Sequence, residues 1–296
     1  MKTKQLFVAT LCVASVILGS CEKKSDDVTP NSNSPENTEK IAGILSGQFS
    51  IGENRKIQFS QGNLQYLGET KTWRFADHQY DYLGIANKNI SEGYIDWIDL
   101  FGWGTGNNPS NASAASENYS VFTDWGVNKI SNGGNEENLW RTLSRAEWQY
   151  LCFTRLNADK LFGLGRVNEI NGVILLPDTW KLPSGVAFLA GTSVGMDKSE
   201  NAYFDHNKDN HFYDNTYTTE EWSVMEKAGA VFLPAAGERD KKAVRYLNQN
   251  GYYWTSTPGS NDNYASEIYF DYYYFYTTNG IWRSSGHSVR LVHDVK

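Results

Sequence analysis

Short runs that alternate apolar and polar residues are the feature that most constrains how this chain can fold. Phe49–Ile51 and Lys56–Ser60 alternate in this way, and Gly52–Asn54 separates them as a turn, so we predict a hairpin. Asn63–Tyr66 and Trp73–Phe75 predict a second strand pair. Further strands are predicted at residues 172–177, 230–234, 251–256, 265–270 and 288–292.

Only two segments carry clear helix start signals. Ser144 is placed as an N-cap with Glu147 three residues later, the pattern of a capping box. Thr218 and Glu221 repeat this pattern, and Gly229 supplies a residue suited to the left-handed helix end. Few helices, many short strands and long loops rich in Gly and Asn predict an α+β fold.

The N-terminus has the composition of an export signal. Lys2 and Lys4 precede an apolar run, Leu6–Leu18, that is too short to span a bilayer stably. The Leu-Gly-Ser-Cys sequence that ends at Cys21 resembles a bacterial lipobox, which implies that residues 1–20 are a signal peptide and that Cys21 carries acyl chains such as palmitate. Several chains on one residue hold a protein firmly to a membrane. An ordinary secretory signal and a transmembrane anchor stay open as alternatives.

Residues 22–41 are polar and hold two prolines, so they predict a flexible tether that extends from the lipid cysteine over residues 21–41. Lys24–Asp27 resembles the acidic signal that sends some Bacteroidetes lipoproteins to the outer face of the outer membrane. The localisation predicted is therefore the cell envelope, as an outer-membrane lipoprotein exposed at the surface. A plain solvated linker is the alternative for this tetrapeptide. Residues 42–296 are then predicted to form one domain.

Charge and cysteine content exclude several classes. The full chain carries a net charge of −7, and removal of the signal peptide would take away two lysines and no acid. An acidic chain argues against nucleic acid as a partner, because phosphates demand a basic surface. Cys12 leaves with the signal peptide and Cys21 takes the lipid, so Cys152 has no intrachain cysteine left to pair with.

Four segments resemble a known family. Trp140–Trp148 is similar to the helix start of C-type lectin folds of the formylglycine-generating-enzyme type. Ala235–Gly237, Gly251–Ser256 and Gly286–Val292 resemble the end of the same family, and also the Fibrobacter major paralogous domain of many Bacteroidetes surface lipoproteins. The resemblance covers residues 45–296. It implies a C-type lectin-like fold with small antiparallel sheets, few helices and long irregular loops that present a binding face.

Some members of this group are variable proteins of diversity-generating retroelements, in which a C-terminal stretch is rewritten at template adenines. The Trp254–Arg290 region resembles such a stretch, because residues that look like a fixed framework are interspersed with Tyr, Asn, Asp and Ser. Residues 261–264 and 271–276 are its densest parts. A variable protein is therefore a hypothesis for this chain.

The same region has the composition of a binding surface. Tyr offers large rigid contact area at low entropic cost, and Asn, Asp and Ser adapt their hydrogen bonds. If residues 272–276, five consecutive aromatics, form a strand, they cannot all face a core, because alternate side chains point to opposite sides. The predicted partner is a glycan or a protein. The predicted ligand contacts are Tyr264, Tyr269, Tyr272, Tyr273, Tyr274, Tyr276, Trp282, Asn261, Asn263, Asp271 and His287. The alternative is that these tyrosines pack on the core, each with one hydrogen bond.

Motifs for enzymatic chemistry are weak. Formylglycine-generating enzymes use a pair of copper-binding cysteines, whereas this domain has only Cys152, which is predicted to be a small buried hydrophobe. The five histidines lack metalloprotease spacing. We therefore predict no enzyme, no catalytic residue and no cofactor, and we keep carboxylate chemistry only as a third alternative.

Two further segments can be interpreted either as binding sites or as ordinary structural elements. Asp205–Asn210 alternates oxygen ligands like a calcium loop, but the glycine at the sixth position and the glutamate at the twelfth are missing. A polar surface loop is favoured, and no metal site is predicted. Trp97–Gly104 is rich in aromatics and glycines, and a packed irregular core is favoured over a ligand site.

Together these patterns predict a lipid-anchored, non-enzymatic recognition protein that binds its ligand through the C-terminal third of the chain. The alternative is a structural subunit of the envelope or of a fimbria with no free ligand site. In that case the tyrosine-rich surface would be buried in an oligomer.

Overall fold

Small sheets and short helices make up the part of the chain that this computed structural model describes, residues 41–191, 201–205 and 210–296. The predicted signal peptide, Cys21 and nearly all of the predicted tether lie outside the described residues, as does most of the candidate calcium loop. Residues 41–296 belong to one compact unit. In the described residues no helix is long and apolar enough to cross a bilayer.

The strands are short and numerous. In chain order they are β1 (Phe49–Gly52), β2 (Arg55–Phe59), β3 (Leu64–Leu67), β4 (Thr72–Phe75), β5 (Trp97–Ile98), β6 (Arg141–Thr142), β7 (Phe162–Val167), β8 (Ile170–Leu175), β9 (Asn201–Tyr203), β10 (Thr216–Tyr217), β11 (Val231–Pro234), β12 (Glu238–Asp240), β13 (Ala243–Arg245), β14 (Gly251–Pro258), β15 (Tyr264–Phe270), β16 (Tyr274–Trp282) and β17 (Leu291–Asp294). Helix α1 (Arg145–Gln149) continues into a π-helical turn, Tyr150–Thr154, and α2 spans Thr219–Lys227. Short 3-10 turns lie at Gly84–Asn89, Ser116–Tyr119, Trp125–Val127, Ala158–Lys160 and His211–Asp214.

The described strands form three four-stranded sheets, one three-stranded sheet and one hairpin. The four-stranded sheets have the orders β1-β2-β17-β6, β10-β7-β8-β11 and β14-β15-β16-β9, and the three-stranded sheet has the order β4-β3-β5. All of these strand pairs are antiparallel except β7 with β10. The coarse prediction of an α+β fold with small antiparallel sheets and few helices is confirmed.

The first sheet joins the two ends of the domain. The predicted hairpin of β1 and β2 is present, and Asn54 in its turn has a φ of 56°, which Asn tolerates better than most residues. Strand β17 pairs with β2 on one side and with β6 on the other. The strand predicted at 288–292 therefore begins later, at Leu291. The preceding residues instead make irregular backbone hydrogen bonds, such as Ser288 N–H to the Tyr252 carbonyl.

Both predicted capping boxes are present. Ser144 Oγ accepts from the Glu147 N–H, and the Glu147 carboxylate accepts from the Ser144 N–H at 2.8 Å. Thr218 and Glu221 exchange the same pair of bonds at the start of α2. Gly229 ends α2 with a φ of 99°, as predicted, because its N–H reaches the Glu226 carbonyl in a left-handed cap.

Trp97–Gly104 is largely core, in agreement with the favoured interpretation. Phe101 and Trp103 are buried, and the Phe101 ring lies 5.6 Å from that of Trp73. The Trp254 indole N–H donates to the Phe101 carbonyl at 2.7 Å, which ties this irregular segment to β14. Gly102 in this segment cannot be replaced by a larger residue without a shift, because a Cβ on it would lie 2.3 Å from the Tyr119 ring.

Candidate functional site: a tyrosine-lined sheet face

Register in the β14-β15-β16-β9 sheet places five tyrosines side by side. Tyr252 on β14 lies opposite Tyr269 on β15, which in turn lies opposite Tyr276 on β16. Tyr274 on β16 lies opposite Tyr203 on β9. Directly opposed residues of an antiparallel pair share a face of the sheet. We call these five residues the tyrosine face.

The five rings form a continuous series across four strands. Centroids are 5.2 Å apart for Tyr252 and Tyr269, 5.8 Å for Tyr269 and Tyr276, and 5.3 Å for Tyr276 and Tyr274. Tyr203 lies 5.8 Å from Tyr274 with its ring perpendicular. Aromatic pairs at these separations attract one another by about 0.5–1.5 kcal/mol beyond the area they bury. The rings are therefore fixed relative to one another.

Polar groups at one edge fix the phenol oxygens. The Tyr269 hydroxyl donates to Asp271 Oδ2 at 2.7 Å, and the Asn250 side-chain amide donates to the hydroxyls of Tyr252 at 3.0 Å and Tyr269 at 3.3 Å. Asp271 Oδ1 accepts from the backbone N–H groups of residues 273–274. Asp271 therefore holds the β15–β16 turn and a tyrosine of the face at the same time.

The phenols of Tyr269 and Tyr276 stay neutral in ordinary buffers, because their surroundings raise the pKa of each. Burial, then the neighbouring Tyr203 and Tyr274, raises the pKa of Tyr276 to about 12. Burial, then the Asp271 carboxylate, raises the pKa of Tyr269 well above its usual range. A neutral phenol is both donor and acceptor, so this surface can exchange hydrogen bonds with hydroxyl or amide groups of a ligand.

Alternation along β16 separates the aromatic run as predicted. Phe275 is fully buried in the core, whereas Tyr274 and Tyr276 point to the other face and are half-buried. Tyr272 in the preceding turn is 39% exposed, and Tyr273 packs against it with centroids 4.2 Å apart. The run therefore offers ring surface to solvent on one side only.

The predicted ligand contacts divide into two groups. Tyr269, Tyr274 and Tyr276 lie on the tyrosine face, and Tyr272, Tyr273 and Asp271 border it. Tyr264 lies five residues before Tyr269 on the same strand, so its side chain points to the opposite side of the sheet. It pairs there with Trp282, with centroids 4.7 Å apart. Asn261 and Asn263 are exposed in the β14–β15 turn beside that pair.

His287 does not belong to either group, which corrects its assignment as a ligand contact. The side chain is fully buried, and its ring stacks between Trp254 at 4.3 Å and Tyr252 at 5.1 Å. Nδ1 lies 2.8 Å from a Glu267 oxygen, and Nε2 lies 3.6 Å from a Glu238 oxygen. Burial lowers the pKa of His287, but the two carboxylates outweigh burial and leave the pKa raised. His287 therefore packs against the Tyr252 end of the tyrosine face.

Sequence reasoning missed Tyr203, Tyr252 and Asn250. Tyr252 lies in a strand that was predicted, and alternation places it on the side of β14 opposite Tyr253, although both residues are buried. Tyr203 has no local signal, because its position depends on the pairing of β9 with a strand some seventy residues later.

Cys152 has the environment predicted for it. Its side chain is buried beside α1, and burial raises the pKa of its thiol to about 12. The thiol is therefore protonated at neutral pH and lacks the thiolate that nucleophilic chemistry needs. Within residues 41–191, 201–205 and 210–296 there is no group of three or more His, Cys, Asp or Glu side chains placed to hold a metal ion.

Comparison of the chain with protein-family profiles, with characterised proteins and with solved structures finds no match.

Proposed function

We propose that this protein is a lipid-anchored, non-enzymatic recognition protein that binds a glycan or a protein ligand through the tyrosine face. The observation that carries the proposal is the continuous series of five tyrosine rings held by ring contacts and by Asn250 and Asp271. Rigid aromatic rings with polar tips bind without a large loss of side-chain entropy. A surface with these properties needs no rearrangement to receive a ligand.

For the fold, we propose the C-type lectin-like class of the formylglycine-generating-enzyme type. The two short helices, the small antiparallel sheets and the long loops between them support this assignment. Two of the segments that resemble the family adjoin the tyrosine face, because Gly251–Ser256 lies in β14 and Gly286–Val292 includes His287, which packs against Tyr252.

For localisation, we propose the outer membrane, with the lipid on Cys21 and the domain displayed at the surface. A Cys21→Ser variant should move from the membrane fraction to the soluble fraction of cell lysates and should lose labelling by a palmitate analogue. Digestion of intact cells with an added protease should remove the wild-type domain. Retention of the serine variant in membranes, with labelling unchanged, would contradict the anchor.

The ligand proposal is tested by probing a glycan array and a cell-surface array with the full chain. A variant with Tyr272, Tyr274 and Tyr276 changed to Ala should lose at least about tenfold in binding, because it removes half-exposed rings from the face. Tyr213→Ala is the matched control, since this tyrosine is 60% exposed and lies outside the face. Circular dichroism and thermal melting would establish that both variants are folded.

Equal binding by the folded triple variant would contradict the choice of contacts. The alternative of a structural subunit makes a different prediction for sedimentation. In that case the wild type would form an oligomer that buries the tyrosine face, and the triple variant would be a monomer.

The variable-protein hypothesis is tested in the surrounding DNA. It expects an adjacent reverse transcriptase and a near-copy of the codons for Trp254–Arg290 that differs mainly at adenines. Tyr269, Tyr274 and Tyr276 lie within these codons, whereas Tyr203 and Tyr252 lie outside them, so among the five tyrosines the hypothesis expects diversification only at those on β15 and β16.

A further inference from the structure

A cavity of about 300 Å³ lies on the side of the same sheet that faces away from the tyrosine face. Ser266 lines it, and because Ser266 is three residues before Tyr269 on β15, its side chain points to the opposite side. Helix α1 packs against β14, β15 and β16 there and contributes Arg145. We call this cavity the Ser266 pocket. Its lining includes Arg145, Ser260, Tyr264, Ser266 and Gly280.

The Ser266 hydroxyl indicates that the pocket is built for a ligand. Ser266 is 2% exposed, and its Oγ has no hydrogen-bond partner among the described residues. A buried hydroxyl without a partner costs about 1–3 kcal/mol. The neighbouring polar side chains are already engaged elsewhere, since Asn279 donates to Glu267 and Thr278 donates to Asn201. A ligand oxygen in the pocket would supply the partner that Ser266 lacks.

Charge and shape select the class of ligand. Arg145 is exposed and is the one charged side chain among the described lining residues, so an anionic group is favoured at that end. A guanidinium matches the two oxygens of a carboxylate. Tyr264, stacked on Trp282, supplies an apolar ring, and Ser260 and Ser266 supply hydroxyls. Asp262 is exposed in the adjoining turn but does not line the cavity.

We propose that the Ser266 pocket binds a uronic-acid residue, a sugar that carries a carboxylate. The carboxylate pairs with Arg145, one sugar hydroxyl bonds to Ser266 Oγ, and the C–H face of the sugar ring packs on Tyr264. The volume is at the lower end of the range for small-molecule sites, which suits a single sugar residue. This site is separate from the tyrosine face and does not depend on the function proposed for that face.

Gly280 offers a way to close the pocket without removing any of its groups. It lies opposite Ser266 on β16, and a Cβ placed on it would meet only the Ala265 carbonyl, at 3.7 Å. A Gly280→Val side chain therefore fits the strand and occupies the cavity. Ser266→Ala removes the unpartnered hydroxyl and breaks no hydrogen bond of that hydroxyl, so the variant should fold normally.

The test is titration calorimetry of the full chain, purified in detergent, with D-galacturonate, D-galactose and acetate. We expect saturable binding of galacturonate that is at least about tenfold tighter than that of either control. Galactose lacks the carboxylate that pairs with Arg145, and acetate lacks the sugar ring. Arg145→Gln should weaken galacturonate binding about tenfold, Ser266→Ala about threefold, and Gly280→Val should abolish it. The Tyr272, Tyr274 and Tyr276 triple variant should bind galacturonate like the wild type.

Three results would overturn the proposal. One is galacturonate binding that is absent, or no tighter than that of galactose or acetate. Another is binding unchanged in both Arg145→Gln and folded Gly280→Val. The third is binding lost in the triple tyrosine variant and kept in the pocket variants, which would place the sugar on the tyrosine face. Failure of the array experiment alone would leave this proposal standing.

Discussion

The His287 imidazole lies between two aromatic rings and two carboxylates, and its protonation affects the stability of the sheet against which it packs. Glu267 and Glu238 favour the protonated ring, and the rings of Trp254 and Tyr252 offer it their faces. The flat contact of a cation with an aromatic face is itself attractive. Loss of the proton would leave two carboxylates facing a neutral ring in a buried site.

We therefore predict that unfolding free energy falls as the pH rises above about 6.5. The folded-state pKa of His287 is raised above 6.5, so its contribution is complete below that value and is lost as the pH rises through the folded pKa. Urea unfolding of the wild type and of His287→Gln between about pH 5.5 and pH 8.5 measures this, and the variant should show a flatter dependence. Tyr252 does not titrate in this range because burial raises its pKa.

A parallel decline in both proteins would contradict the prediction. At acid pH, protonation of Glu238 changes the unfolding free energy in the opposite direction. The pKa of Glu238 is lowered, and its contact with His287 is the main cause. Its contribution is present above about pH 4.5 and is lost as the pH falls through the folded pKa.

At the scale of elements, the two helices start with the same local motif in different surroundings. Glu147 at the start of α1 is 6% exposed and accepts from Arg55 on β2 and Arg141 on β6, as well as from Ser144. Glu221 at the start of α2 is exposed, and among the described residues its side chain bonds only within its capping box. The first carboxylate therefore connects a helix to a sheet, whereas the second closes a helix end.

Glu147→Gln should therefore be more destabilising than Glu221→Gln. Loss of two charged hydrogen bonds at a nearly buried site should cost about 2–3 kcal/mol of unfolding free energy, whereas Gln closes a capping box almost as well as Glu. Chemical denaturation at neutral pH measures both variants. Equal effects within about 0.5 kcal/mol would show that the arginine contacts contribute little.

Sequence predicts those elements whose signals are local. The capping boxes, the β1–β2 hairpin with Asn54 in its turn, and the β8 and β11 strands all follow from neighbouring residues, and all are present. The tyrosine face follows only in part, because Tyr203 reaches it through long-range pairing. The burial of His287 could not be predicted, since it requires Glu238 and Glu267 to meet from distant strands.

At the scale of the whole domain, β17 holds the first sheet together. It lies between β2 and β6, and Leu291 and Val292 are fully buried in the core. Among the described strands, β17 is therefore the one that connects the β1–β2 hairpin to β6 in this sheet.

Truncation after Arg290 should prevent folding, because it removes a central strand and leaves the edges of β2 and β6 unpaired. We expect a chain with a broad thermal transition or none by circular dichroism, and rapid cleavage by added protease. Removal of Lys296 alone is the matched control, since this residue is exposed and lies outside β17. A cooperative transition in the longer truncation would show that the hairpin and β6 are stable without it.

The position of β17 also has a consequence for folding kinetics. Its pairs join residues far apart in the sequence, Val292 with Phe59 on β2 and Leu291 with Thr142 on β6. Closing such long loops costs entropy before the contacts stabilise the sheet, and folding slows as the mean sequence separation of contacts grows. We therefore expect the first sheet to form late in folding.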